Sequence, residues 1–277
     1  MANIKEYSVV KYQNGSFVEN ISDEKFILHQ FTDFSANDKE IKNCDFSYAL
    51  FTRVYFRKVV FTNCNFTGAK FFDSNLRDAS FINCKFPYAI FKFTIIRSKQ
   101  VLHNLPEWPN VKINLLQNHK ANANSLGDFN AVREYLLEEI EANKEHYRRA
   151  RARKEHYYSE KYKSFRSQVE IYWKSFCIYI DDFLWGHGES PMKIIRNVIV
   201  IIIILTLIQF SFVDSVAKNT IGQDWKTLWV TFKDSWKVFI GFGNIKINGW
   251  CKAILIVFRY ITFGFFVRIL FNKYAWR

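Results

Sequence analysis

Between residues 46 and 91 a large apolar side chain returns at every fifth position: Phe46, Phe51, Phe56, Phe61, Phe66, Phe71, Leu76, Phe81, Phe86 and Phe91. Ile41 and Ile96 continue the register at its two ends. A helix repeats its faces every 3.6 residues and a strand every two, so neither accounts for a strict five. Two positions before each large residue stands a small or β-branched one: Cys44, Ala49, Val54, Val59, Cys64, Ala69, Ser74, Ala79, Cys84, Ala89 and Thr94. A longer period of twenty overlies the first, in "NCDF" from 43, "NCNF" from 63 and "NCKF" from 83. Self-similarity at such a period reads as a solenoid, in which a repeat buries its apolar face only by stacking on the next.

This pattern resembles the pentapeptide repeat family, A-(D/N)-L/F-x-x, and covers about a fifth of the chain. The resemblance implies a right-handed quadrilateral β-helix over residues 41–98, four repeats to a coil. A phenylalanine or leucine would fill the axis from each side, with the small residue tucked beside it where a larger one would overpack. Fewer than three coils, stacked at about 4.8 Å, make a stub roughly 10 to 15 Å tall that needs capping. The cap candidates are residues 1–40, with the hairpin signal Asn14-Gly15, and residues 99–127, which hold Pro106 and Pro109. Some family members mimic DNA with an acidic surface on a long coil, an unsuitable role for a short coil in a chain of net charge +13.

Cys44, Cys64 and Cys84 fall in one column, which reads as small buried side chains rather than a metal or redox ladder. Five cysteines without C-x-x-C spacing fit a reducing compartment better than a disulfide framework. The start, "MANIKEYSVVKYQNG", lacks the apolar core of a signal peptide.

Residues 128–185 read as a basic helical arm of two helices with a break near Tyr157-Tyr158, the first capped by Asp128. Its piece "YRRARARKEHYY" suits a solvated face near lipid headgroups better than nucleic acid, because no nucleic-acid fold signature surrounds it. His146, His156 and His187 lack metal-ligand spacing and read as surface histidines. In "LWGHGESPMKIIRN", Ser190-Pro191 starts a helix and Gly186 and Gly188 let the chain turn before it. A similar Gly-aromatic-Gly-Glu-x-Pro element precedes the first membrane helix in pentapeptide repeat proteins that carry a membrane domain, with His187 here in the aromatic position.

Residues 186–277 read as a two-span membrane domain. The run 194–213 is long enough to cross about 30 Å of hydrocarbon. The run 253–270 crosses with less margin, since Arg259 carries a penalty of about 2.5 to 3.5 kcal/mol. Drawn in this way, Arg259 and Gln209 lie at similar depth, and Arg259 is expected to reach Asp214, Gln209 or the headgroups, or to line a pore. Between the spans, Trp225, Trp229, Phe232, Trp236 and Phe239 form one stripe of a helix over 225–239, too short to cross.

Span, short helix, Gly241-Phe242-Gly243-Asn244, span: this order resembles the pore unit of the two-transmembrane potassium-channel superfamily. The resemblance implies that Gly241, Phe242 and Gly243 form a filter whose backbone carbonyls replace water about an ion, with Asn244 at its mouth and Gly264 as a hinge. It also implies a homo-oligomer, a tetramer first, because one subunit supplies one filter strand. Phe239 stands in place of the motif's threonine and Asn244 in place of its carboxylate, while Lys226, Lys233 and Lys237 discourage cations, so the permeating ion stays unassigned.

No catalytic constellation, phosphate-binding glycine loop, metal box or cofactor motif emerges. The expectation is a non-enzymatic, multi-pass bacterial inner-membrane channel or pore with both termini cytoplasmic, its solenoid and arm regulatory or binding a cytoplasmic protein partner. Such a channel is expected to suit the role of a membrane-depolarising effector. The alternative is a bilayer-anchored pentapeptide scaffold without conductance, its short helix lying amphipathically at the interface.

Overall fold

The computed structural model describes residues 9–188, 190–214, 221–242 and 248–274. It divides into two compact units, residues 1–172 and 173–277.

The first unit opens with short strands that stack only in parallel. β1 (Lys11–Gln13), β3 (Gln30–Thr32), β6 (Leu50–Thr52), β9 (Lys70–Phe72) and β11 (Ile90–Lys92) make one ladder, and β2 (Ile21–Ser22), β5 (Glu40–Lys42), β8 (Val60–Thr62) and β10 (Ser80–Ile82) a second. β4 (Ser35–Asn37) pairs with β7 (Tyr55–Arg57), and single bridges from Lys25 through Asp45 and Asn65 to Lys85 make a further column. Partners are twenty residues apart, as in Phe51↔Phe71, which sets one coil.

Two expectations change here. The coil begins at Lys11, so residues expected as a cap belong to a solenoid of about four turns. The Asn14-Gly15 pair is a corner of that coil, not a hairpin: Asn14 N–H donates to Thr32 O at 3.1 Å, and its neighbours pair in parallel. The cause is a shortened first coil. Tyr12 faces Phe31 at an offset of nineteen, so Tyr12 and Phe17 sit one residue out of the five-residue register that Ile21, Phe26 and Phe31 follow.

Inside, the register residues stack as columns of rings. Tyr12, Phe31, Phe51, Phe71 and Phe91 follow one another at 4.8, 5.0, 4.5 and 4.8 Å between centroids, their planes nearly parallel. Offset stacking adds to the burial of each ring. At the outer corners the backbone turns through positive φ, at Asn43, Asn63 and Asn83 among others. Asn and Asp tolerate this region better than most residues.

The top of the coil is closed by α1 (Ser98–Leu102) and α2 (Pro109–Ser125). A solenoid end exposes the peptide groups that the next coil would have paired. Side-chain amides replace that coil: Asn104 accepts from Cys84 N–H at 2.8 Å and donates to Phe81 O at 3.0 Å, and Asn122 does the same at Thr94 with 2.9 and 2.7 Å. Gln100 and Asn118 accept from Phe81 and Phe91 N–H. Leu115 completes the apolar core.

α3 (Phe129–Ala152) packs back on α2, capped by Asp128, whose carboxylate accepts from Ala131 N–H at 3.0 Å. The arm breaks earlier than expected, at Arg153 in left-handed backbone, and a short α4 (His156–Lys161) intervenes before α5 (Phe165–Trp185). Tyr158, expected at the break, is fully buried against Ala150 and Ile171.

The second unit contains the end of α5, a single 3-10 turn over Gly186–Gly188, α6 (Pro191–Asp214), α7 (Ile221–Ile240) and α8 (Gly249–Tyr274). α6 and α8 are long and apolar enough to cross a membrane, and start three to four residues before the expected spans. α7 has twenty residues rather than about fifteen, because its helical pattern continues through Gln223 and Asp224 ahead of Trp225.

Candidate functional site

α7 packs on α6 through a small-residue face. Ser235 and Thr206 are buried and 3.4 Å apart, each hydroxyl donating to its own helix, to Thr231 O and Ile202 O. Small side chains let helices approach closely where lipid offers no hydrophobic drive. The aromatic stripe lies beside this face, with Trp225, Trp229 and Trp236 exposed.

At the end of α7, Gly241 adopts φ +104. Its N–H donates to Val238 O at 3.1 Å and Lys237 O at 2.9 Å, while Phe242 N–H donates to Lys237 O at 2.8 Å. This is a Schellman closure, in which a glycine in left-handed backbone ends a helix and supplies donors to its open carbonyls. Phe242 is exposed. Gly243 and Asn244 lie outside the described residues.

Arg259 stands beside this cap: a Cβ added to Gly241 would lie 2.5 Å from its Nη1. The guanidinium also donates to Tyr260 Oη at 3.0 Å and covers that ring at 4.7 Å. A cation at a helix C-terminus meets the negative end of the dipole, which favours this position. An open groove of about 390 Å³ runs past it, bordered by Ile194 and Ile199 of α6, Trp236 and Ile240 of α7, and Phe263 of α8.

The expected depth of Arg259 is therefore corrected. It borders the first two turns of α6, whereas Gln209 lies ten residues beyond Ile199, about 15 Å along the helix. Gln209 is buried, and its Nε2 has no partner among the described residues. The side chain of Asp214 lies outside the described ones. Gly264 is in the exposed face of α8, with nothing within 4 Å of an added Cβ.

The thiols of Cys44, Cys64 and Cys84 are buried and free, with sulfurs pointing to backbone carbonyls such as Lys42 O at 3.2 Å. The Cys44 thiol is pushed well above its ordinary value, first by its hydrogen bond with Cys64 and then by burial. Among the described residues no cluster of His, Cys, Asp or Glu could hold a metal ion. Two expected surface histidines are not at the surface. His146 is half-buried between Tyr158 Oη and Tyr162 Oη, each at 3.1 Å, and His187 bonds Asp181 at 2.6 Å. Of the histidines that sequence reasoning passed over, His119 is enclosed between Phe91 and Tyr135, its pKa lowered by burial to about 3. It extends the ring column by one position, a signal readable only once α2 is known to be the cap.

The first unit thus opens with a β-solenoid of pentapeptide repeats, followed by helices. A family model for pentapeptide repeats matches residues 41–78, in 8 copies. Among solved structures the chain is similar to a trypsin-treated variant of QnrB1, a plasmid-mediated fluoroquinolone resistance protein, at 17% identity and a TM-score of 0.18. That match covers 31% of this chain and 53% of the other, about half its length. No curated protein matches.

Proposed function

We propose that the protein is a bacterial inner-membrane pore, in which copies of the second unit assemble as a ring and the solenoid and arm regulate it or bind a cytoplasmic partner. The single observation carrying this reading is where α7 stops. Gly241 lies against Arg259, ten residues and about 15 Å into α8, far from the Gly249 at which α8 begins. A helix that ends within the depth of the next span, and not at its start, is the arrangement of a re-entrant pore helix. In that assembly the carbonyls of Gly241 and Phe242 would face the axis; the rest of the expected filter, Gly243 and Asn244, lies outside the described residues. The solenoid is read as a right-handed, four-sided coil, and both termini as cytoplasmic.

A second reading has its own support. The Schellman closure accounts for Gly241 without any ion, and the neighbouring guanidinium is unfavourable for a cation held by carbonyls. On this view α7 merely closes a two-span anchor, and the solenoid is a tethered interaction module.

Conductance of the purified chain in planar bilayers separates the two, comparing the parent with the Gly241→Val, Gly243→Val double variant. The pore reading predicts parent currents that the double variant loses while it elutes from size exclusion like the parent. An assembled but silent parent supports the anchor, and currents indifferent to the substitutions place the conduction path elsewhere.

A further inference from the structure

The part of α5 in the second unit, from Trp173 onward, leaves one of its faces uncovered. At about 100° per residue, Phe176 and Phe183 fall on one line, with Tyr179 along one edge and Ile180 and Trp173 along the other. All five are exposed, Trp173 at 64% and Phe176 at 53%. Ser175, which is buried, lies about a quarter of a turn away, while Lys174 falls on the opposite side.

The end of this helix is tied to the start of α6. Asn197 Nδ2 donates to Phe183 O at 3.0 Å and Leu184 O at 2.5 Å, and Lys193 Nζ donates to the carbonyl and carboxylate of Asp182 at 3.0 and 2.6 Å. Arg196 donates to Phe183 O and lies 4.5 Å over the Phe183 ring. Side chains from the first two turns of α6 thus satisfy carbonyls that the last turn of a helix leaves open. The end of α5 is thereby held level with Lys193, Arg196 and Asn197, the polar collar where a membrane-crossing α6 would leave the headgroups.

We propose that this face of α5 is a lipid-binding surface that lies in the interface of the bilayer, its phenylalanine line in the acyl boundary. The inference rests on α6 being a span and not on conduction. The level is set by the collar, and the composition agrees with it. Tyrosine and tryptophan at the edges of an apolar line place their rings in hydrocarbon and their polar atoms among headgroups. An amphipathic helix with aromatics on one face and charge on the other binds such an interface in proportion to the apolar area it buries.

Nitroxide labels test the surface on the full chain in phosphatidylethanolamine and phosphatidylglycerol vesicles. The background is Cys177→Ser, because the other four cysteines are buried. Labels enter at Phe176→Cys and Ile180→Cys on the stripe, at Lys174→Cys opposite, and at Ile204→Cys on the exposed face of α6 as a lipid reference. The ratio of collision with oxygen to collision with a water-soluble nickel chelate is expected to be highest at 204, intermediate at 176 and 180 because the acyl boundary is shallower than mid-span, and several-fold lower again at 174. Stripe labels open to nickel, or shielded from both reagents as under a second copy, overturn the proposal while 204 still reports lipid. A water-exposed label at 204 overturns the membrane reading itself.

Discussion

His119 is where the aromatic column of the coil passes into its helical cap. It is neutral when folded, because burial lowers its pKa from 6.5 to about 3, so the unfolded chain takes up a proton that the folded chain does not. Stability from this group is complete above pH 6.5 and is lost as pH falls toward 3, at up to about 1.4 kcal/mol per pH unit. His119→Phe, which keeps the ring, should flatten that dependence. Hydrogen exchange across residues 91–119 at pH 7, 5.5 and 4.5 would register it, and equal acid sensitivity in parent and variant would contradict the assignment. The thiols make a second residue-scale case. Cys177 is exposed, and Cys44, Cys64, Cys84 and Cys251 are buried. Intact-mass analysis after brief maleimide treatment should therefore find one adduct on the folded chain and five on the denatured one. Modification of the solenoid column in the native state would mean that the thiols are not held as packing. Of these details the sequence carried the column of cysteines, through its period of twenty, but not His119, whose burial depends on a contact made 28 residues beyond Phe91.

At the scale of elements, the closed end of the coil depends on amides more than on apolar area. Removing Asn104 leaves Cys84 N–H and Phe81 O unpaired in a buried setting, and a lost partner of this kind costs about 1 to 3 kcal/mol. Asn104→Ala should therefore speed amide exchange in the last coil, residues 81–94, with the coil at 41–61 unchanged. Uniform protection after substitution would show that Leu115 packing alone caps the solenoid. The middle of the coil was legible because phenylalanine repeats there without interruption. Its first turn was hidden by the nineteen-residue offset at Tyr12 and by Ala36 in a register slot, both of which a strict period of five rejects. The arm was placed as helical, but its break lies where Arg153 turns left-handed, and no glycine or proline marks that position. In the membrane unit, length and apolarity revealed α6 and α8. The face by which α7 packs was not anticipated, because the aromatic stripe dominates the pattern while Ser235 and Thr206 make the contact. Arg259 was assigned a depth by counting along straight spans, and counting cannot register that the last turn of α7 descends to meet it.

For the whole molecule, conduction requires more than one chain, since a single bend at Gly241 and Phe242 encloses nothing. A ring would also cover apolar surface that the isolated unit leaves open, including the groove past Arg259 and the tryptophans of α7. Among the described residues the unit buries little of α6 and α8, as expected for helices facing lipid or neighbouring copies. The anchor reading needs no such assembly. Native mass spectrometry of the full chain, extracted in mild detergent and released from the micelle, decides between them most directly. The pore account predicts a closed assembly, first of all one of four times the 33.0 kDa chain, held at concentrations where nonspecific pairs dissociate. A particle that stays at the mass of one chain contradicts it.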